Sequence, residues 1–549
     1  MTDTAPSFAF SIETDAYSTA GKIMGRQMAG RGFLRGMGRT WPNGTLRGVG
    51  TGQFNREETL QTLRDSGFAG ELLLSYTPAF KGACELGALY YPTIPISAMA
   101  HLRNRLGPAA FSLFGVTHTI SSNRALDGIA ALASGAFMPW DALICTSDAA
   151  KVVVDGLLEE TREDLRRNTG ASNLPAVQTP VIPLGVDCHE WAPDSHGKAR
   201  ARAALGLAAD EVAFLFAGRL SFHAKANPAP LYQALQAASG DAKLVLIEAG
   251  LFPHPQVGDA FAQAQAALAP DVRFLHVPGD DAGAYADAWR AADVFVSLSD
   301  NIQETFGLTP VEAMAAGLPV LVSDWNGYRS NIRHGVEGFL IPTIAAPPGA
   351  GPELALAVET GHLSYDRQIG LASLAVAVAR QPLHEALTAL ATDADLRQRM
   401  GAAGRSRALE IFDWPVVLGR YDALARELNA LRPRGDAAPP PRPWRERADP
   451  FARFQGFATR GTADADTVRL HPEAEAMLAQ IAALDLANYS FDQAFLEQQA
   501  IGRLVDILRQ IDGAPSVATL LREAGGASPR QRRALAWLFK FGIVEIDAP

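Results

Sequence analysis

The sequence predicts an α/β protein of doubly wound parallel sheets, with a small, mainly helical domain at its C-terminal end. Three observations carry this. From Val294 to Ser323 the chain reads VFVSLS, DNIQETFGLT, PVEAMAAGL and PVLVS, which is a strand, a loop, a helix and a second strand. On either side, short apolar runs alternate with helical lengths, the pattern of a parallel sheet covered by helices on both faces. Finally, the stretch from Pro433 to Pro441 is rich in proline, and helical patterning resumes past Leu470. At 549 residues the chain has room for two or three domains.

In chain order, Phe8 to Ile12 is a short alternating strand, followed by a glycine turn around Gly21 and a helix expected to begin near Lys22. A turn between strand and helix leaves N–H groups open to a phosphate, although an ordinary tight βα turn has the same look. Arg26, Arg31, Arg35 and Arg39 then recur among Met28, Phe33, Leu34, Met37 and Trp41. Such a segment suits an anionic membrane surface. The glycines at 30, 32, 36 and 38 speak against a stable amphipathic helix, so the preferred reading is a solvated loop lining a cleft. Glu71–Ser75, Ala110–Phe114 and Ala142–Thr146 are strand candidates, and His118 stands at the carboxyl end of the second.

The second half opens with a strand over Ala213 to Ala217 that runs into Gly218, with Arg219 and Lys225 just beyond it. Lys243–Ile247 and Val272–His276 are further strands, and a helix is expected around Tyr285 to Ala292. In the central unit Thr309 is expected as N-cap, Pro310 as first and Glu312 as third helical residue, with Gly317 and Pro319 ending the helix. Its loop sits where open α/β sheets bind ligands, outside the carboxyl end of a strand. The N–H groups of Phe306-Gly307-Leu308-Thr309 suit an anion there. Pro347 to Pro352 is a loop insertion, and Leu396 to Leu431 is mostly helical. Helices are expected over Glu473–Leu484, Asp492–Ile511, Val517–Glu523 and Pro529–Phe541, with a last strand at Ile543–Ile546. That order suggests a winged-helix-like module.

Bulk properties narrow the function. A net charge of −10 argues against a generally nucleic-acid-coating surface. Cys84, Cys145 and Cys188 are widely spaced and odd in number, which fits a reducing compartment better than a disulfide framework or a zinc site. Neither a signal-like N-terminus nor a run of membrane-spanning length is found, so a cytosolic protein, at most peripheral to a membrane, is expected. Asp393/Asp395 and Asp464/Asp466 form Asp-x-Asp pairs, but away from strand ends, and are read as solvated surface.

Glu304-Thr-Phe-Gly-Leu-Thr-Pro-Val-Glu312 resembles the E-x7-E signature of retaining GT-B glycosyltransferases, family 4 in particular. The resemblance extends over roughly residues 8 to 431 and implies two Rossmann-like domains facing a cleft. Their expected spans are 1–195 for the acceptor and 196–431 for a nucleotide sugar, followed by a Pro-rich linker at 432–469 and the helical appendage at 470–549. It implies that Glu304 meets the transferred sugar, with His118 beside it, and that Glu312 holds the ribose. Arg219 and Lys225 would neutralise the diphosphate, helped by the backbone of Gly307, Leu308 and Thr309. Gly21 and Lys22 would form the phosphate-facing first loop, Lys22 standing where many relatives place a paired glycine. Val277-Pro278-Gly279 would lie beside the nucleobase. Asp324 to Arg329 departs from the relatives' glycine-rich Pro-Glu segment, and Phe412-Asp-Trp414 is similar to the place where such chains cross back onto the first domain.

The expected function is therefore transfer of a sugar from a nucleotide-diphosphate donor to an unidentified acceptor, with no metal and no resident cofactor. The alternatives are a GT-B sugar-nucleotide epimerase and a non-catalytic sugar-nucleotide-binding or DNA-binding regulator. Arg530, Arg532, Arg533 and Lys540 motivate the last. The overall acidity and the Arg219, Lys225, Glu304 and Glu312 set oppose it. For the appendage a protein partner or self-association is expected, rather than nucleic acid.

Overall fold

Among the described residues, twelve strands form two six-stranded parallel sheets of the same design. The first holds β1 (Ala9–Ile12), β2 (Thr45–Gly50), β3 (Glu71–Tyr76), β4 (Ala88–Tyr91), β5 (Ser112–Val116) and β6 (Ala142–Ile144), in the order β3-β2-β1-β4-β5-β6. The second holds β7 (Glu211–Ala217), β8 (Lys243–Gly250), β9 (Arg273–Pro278), β10 (Val294–Ser297), β11 (Val320–Ser323) and β12 (Gly338–Ile341), ordered β12-β11-β10-β7-β8-β9. Both are doubly wound sheets whose order reverses once, between β1 and β4 and between β7 and β10. The central strands are apolar on both faces and wholly buried, as AFSI, VFVS and VLVS show. This computed structural model describes residues 5–17, 25–50, 56–488 and 498–547, with backbone only at 14, 15, 25 and 26. The expected phosphate-facing turn with Gly21 and Lys22 lies outside the described residues.

The arginine-rich segment is a helix, Gly25–Thr40, and not the expected loop. Its glycines are contact points. A Cβ on Gly36 would stand 2.6 Å from Cγ of Trp414, and one on Gly32 would stand 3.0 Å from its Nε1. Each glycine costs roughly 1 kcal/mol of helix propensity, but here the missing side chains admit an indole from the far end of the chain. Phe33, Leu34 and Met37 are buried beneath. Arg39 pairs with Asp187, and Arg35 with Glu190.

Trp414 arrives because the chain turns back. After helix Ala394–Arg407 and a wider turn at Ala408–Phe412, Val186 N donates to Phe412 O (2.8 Å) and Trp414 N donates to Val186 O (3.2 Å). Helix Trp414–Leu431 then lies on the first sheet, where Tyr421 meets Tyr90 with ring centroids 5.5 Å apart. The chain stays on that half past Leu431. Arg432 donates to the carbonyls of Ala109 and Ala110, Arg442 N donates to Asn104 O, and Trp444 stacks on His101 at 4.7 Å.

Between β12 and helix Arg380–Thr392 the chain makes an excursion larger than the expected loop insertion. It runs through β13 (Thr343–Ala345), helices Pro352–Glu359 and Tyr365–Ser373, and β14 (Val376–Val378), which pairs antiparallel with β13.

The chain divides into two compact units, residues 1–444 and 445–549. In the second, β15 (Thr467–Leu470) pairs antiparallel with β16 (Val544–Asp547) beside helices Ala474–Ala482, Gln498–Gln510, Val517–Glu523 and Pro529–Lys540. Leu504, Leu508, Leu520, Leu521, Leu535 and Leu538 form its core. Among the described residues no helix is long and apolar enough to cross a membrane.

Candidate functional site

The reversal of strand order in the second sheet makes β7 and β10 neighbours, so the loops leaving their carboxyl ends meet. The β7 loop starts at Gly218, whose φ of 138° favours glycine, and carries Arg219, His223, Lys225 and Asn227. The β10 loop carries Asp300, Asn301, Gln303 and Glu304. Four contacts join them. Lys225 Nζ lies 3.0 Å from Glu304 Oε2, and Arg219 Nη2 donates to Gln303 Oε1 at 2.9 Å. Asn301 Nδ2 donates to His223 O at 2.7 Å, and Asn227 N donates to Asp300 Oδ2 at 3.3 Å. The pair expected to hold phosphate and the glutamate expected to meet the sugar are thus brought together.

The helix N-terminus is built differently from the expectation. Helix Leu308–Ala315 starts two residues early, on Gly307 as N-cap at φ 90°, and no side chain caps it. The Thr309–Glu312 capping box is therefore absent. Glu304 approaches this end of the helix instead, its Oε1 accepting from Gly307 N at 3.1 Å. Gly307 is needed on two counts, its φ and the Tyr328 ring that occupies the place of a Cβ. Tyr328 OH is 2.9 Å from Ser297 Oγ, Asn331 Nδ2 donates to Phe306 O at 2.7 Å, and Trp325 Nε1 donates to Asn301 O at 3.1 Å. The segment 324–331 thus braces the β10 loop.

The two glutamates stand in opposite electrostatic settings. Burial tends to raise the Glu304 carboxyl, but the Lys225 ammonium and backbone N–H groups outweigh it and hold it below the usual range. Among the described residues Glu312 has no such cation. Burial, with a smaller push from Glu190, raises it to about 7. Asp300, which sequence reading does not single out, is also raised by burial to about 7, and its Oδ1 has no hydrogen-bond partner among the described residues.

The first half reaches the same loop through Thr305. Its Oγ1 donates to His118 O at 2.8 Å, and its carbonyl accepts from Ser147 Oγ at 2.7 Å. The His118 backbone therefore lies against the Glu304 loop as expected of a strand-end residue. Its Nε2 is 2.9 Å from Pro92 O, which requires that nitrogen to carry the proton. Tyr365, from the excursion, was not foreseen either. Its hydroxyl lies 2.8 Å from Ser121 Oγ, 3.2 Å from Thr119 Oγ1 and 3.3 Å from Gln303 Nε2. A buried aspartate just past a strand end is a signal that could have exposed Asp300. Nothing local marks Tyr365.

The Asp-x-Asp pairs have structural partners. Asp393 Oδ1 accepts from Leu396 N at a helix start, Asp464 pairs with Arg532 at 3.2 Å, and Asp466 pairs with Arg460 at 2.7 Å.

Comparison with known proteins finds likenesses in sequence and fold. The family model for Glycosyl transferases group 1 matches residues 197–346, which contain β7 to β12 and both meeting loops. A D-inositol 3-phosphate glycosyltransferase of Xylanimonas cellulosilytica is 33% identical over 219 residues, covering 39% of this chain and 51% of that protein. A phosphatidyl-myo-inositol mannosyltransferase of Mycobacterium leprae is 37% identical over 151 residues, covering 27% and 30%. The chain spans about half the length, or less, of these curated relatives. A glycosyltransferase structure from Rickettsia africae superposes with a TM-score of 0.50 at 13% identity, over 77% of this chain and 98% of that one. The fold is GT-B, two Rossmann-like halves with an extra helical C-terminal unit.

Proposed function

We propose that the chain is a glycosyltransferase that moves a sugar from a nucleotide-diphosphate donor to an acceptor with retention of anomeric configuration. The observation that carries this reading is the Lys225–Glu304 pair, 3.0 Å apart where the β7 and β10 loops meet. The chemical task is to stabilise a departing diphosphate while the sugar becomes oxocarbenium-like. Arg219 binds that diphosphate in a fork and Lys225 as a point charge, with the N-terminus of helix Leu308–Ala315 adding its dipole. A low-lying carboxyl keeps Glu304 ionised at neutral pH, so it accepts hydrogen bonds from sugar hydroxyls. Glu312 holds the ribose, and His118 positions the sugar from the facing half. No step requires a metal ion. The first half carries the acceptor, and unit 445–549 recruits a protein partner or a second copy.

A panel of UDP-, GDP- and ADP-sugars screened by thermal shift tests the reading, because a true donor at a hundred times its Kd stabilises by about 2.7 kcal/mol. The anomeric configuration of the product, read by NMR, tests retention. Absence of any nucleotide-dependent shift would overturn the assignment.

A further inference from the structure

The family match ends at residue 346, just past the first strand of the excursion. The excursion nevertheless closes onto the site. Ile369 is wholly buried, and its carbonyl accepts from Asn301 Nδ2 at 3.3 Å. Gly370 lies so close to His223 that a Cβ there would stand 3.0 Å from the His223 Cβ. Helix Tyr365–Ser373 is thereby held against the same two loops that carry Lys225 and Glu304.

Tyr365 is the first residue of that helix. Its hydroxyl lies within 3.3 Å of Ser121, Thr119 and Gln303. Thr119 follows His118 in sequence, and Gln303 precedes Glu304. The two residues assigned to the transferred sugar are thus each next in sequence to a member of this cluster. All four side chains are neutral, each both donates and accepts hydrogen bonds, and all are partly exposed. Such a group suits a polyol. Gln303 Nε2 can only donate, so the phenolic oxygen accepts from it and keeps its proton for another oxygen.

Resting on the donor-site reading above, we propose that Tyr365, with Thr119, Ser121 and Gln303, reads a hydroxyl of the transferred sugar. The 343–378 excursion is then the element through which this chain selects among neutral hexoses. In the ligand-free arrangement the four groups satisfy one another, and a correctly placed sugar hydroxyl takes over one of those bonds. A site built to hydrogen-bond a substrate hydroxyl discriminates strongly against the analogue that lacks it.

The test uses the full-length protein, with Tyr365→Phe and Ser121→Ala, against donors on one nucleotide whose sugars differ by a single hydroxyl, as epimers and deoxy analogues. The expected result for Tyr365→Phe is a loss in kcat/KM on the order of tenfold for the preferred donor. The loss should be much smaller for the one analogue lacking the recognised hydroxyl, with nucleoside diphosphate affinity within twofold of the parent. Ser121→Ala should erode the same discrimination. An equal loss for every sugar, no loss at all, or a fall in nucleoside diphosphate affinity would each overturn the proposal, because Tyr365 would then be a brace or act through Arg219. If the parent protein uses no sugar nucleotide, the donor-site reading fails, and this proposal fails with it.

Discussion

The two halves of residues 1–444 repeat one strand order and use it for different ends. In the second half the neighbouring strands β7 and β10 end in loops joined through charge, Lys225 to Glu304 and Arg219 to Gln303. In the first half, the aromatic residues around β1 and β4 are committed to packing. Phe33 stacks on Tyr90 at 4.5 Å and meets Trp414 at 6.1 Å, while Phe8 meets Phe114 at 5.5 Å. The lesson is that topology fixes where a crevice opens, and the loop residues decide whether it holds a ligand or a neighbouring helix. The first half should therefore fail through stability, and the second through ligand affinity and turnover.

The largest effect is expected from Trp414→Ala, which removes the indole that Gly32, Gly36 and Gly185 approach. Loss of a buried tryptophan costs about 3–5 kcal/mol. Urea unfolding should show it, with the nucleoside diphosphate affinity of the folded fraction unchanged. A loss of affinity without a loss of stability would reverse the comparison.

Glu304→Gln should act the other way. The amide oxygen still accepts from Gly307 N, so stability stays near the parent, while turnover falls by about 10²–10³, or roughly 2.7–4 kcal/mol. Steady-state kinetics on the purified variant decide it, and parent-like turnover removes Glu304 from the reaction.

Arg219→Ala and Lys225→Ala should each weaken nucleoside diphosphate binding by about 1.5–3 kcal/mol, roughly 10–100-fold. Lys225→Ala also takes away the cation that holds the Glu304 carboxyl down, so that carboxyl should titrate higher. Calorimetry showing parent affinity in both variants would dissolve the charged crevice.

A smaller effect concerns pH. Glu312 is raised to about 7, so the folded state binds its proton more tightly than the unfolded chain does. Its contribution to stability is full below the ordinary carboxylate range and is lost as pH rises through 7. A ribose diol donates to the ionised form, so nucleotide affinity should instead rise from pH 6 to pH 8, by up to about tenfold in all. Glu312→Gln should flatten both trends. A parent affinity flat across that interval would separate Glu312 from the ribose. Without a capping box, Glu312→Ala carries no capping loss.

The smallest effect is expected from removing residues 445–549. A cut after Trp444 keeps the His101 stack and the Arg442 contact, and should leave nucleoside diphosphate affinity unchanged. Lost affinity in a folded truncation would bring that unit into the donor site.

Much of this was legible in the sequence where the signal is local. The strand–loop–helix–strand unit, the cations after β7 and the helices of the second unit all announce themselves within a dozen residues. What escaped depends on partners distant in sequence. Propensity makes Gly25–Thr40 a poor helix, because Gly32 and Gly36 make sense only once Trp414 stands against them. β2 is hard to read for the same reason, since Gly48 interrupts its apolar pattern where Ile12 and Leu74 of the flanking strands press in. Thr309 looked like the N-cap by spacing, yet the left-handed Gly307 and the Tyr328 ring beneath it set the helix start.

The return of helix Trp414–Leu431 to the first sheet also bears on how the chain is made. On a ribosome, the first half emerges more than two hundred residues before the helix that finishes its core. At about 5–20 residues per second this leaves the aromatic face of Phe33 and Tyr90 uncovered for on the order of tens of seconds. The final packing of the first half thus waits on completion of the second.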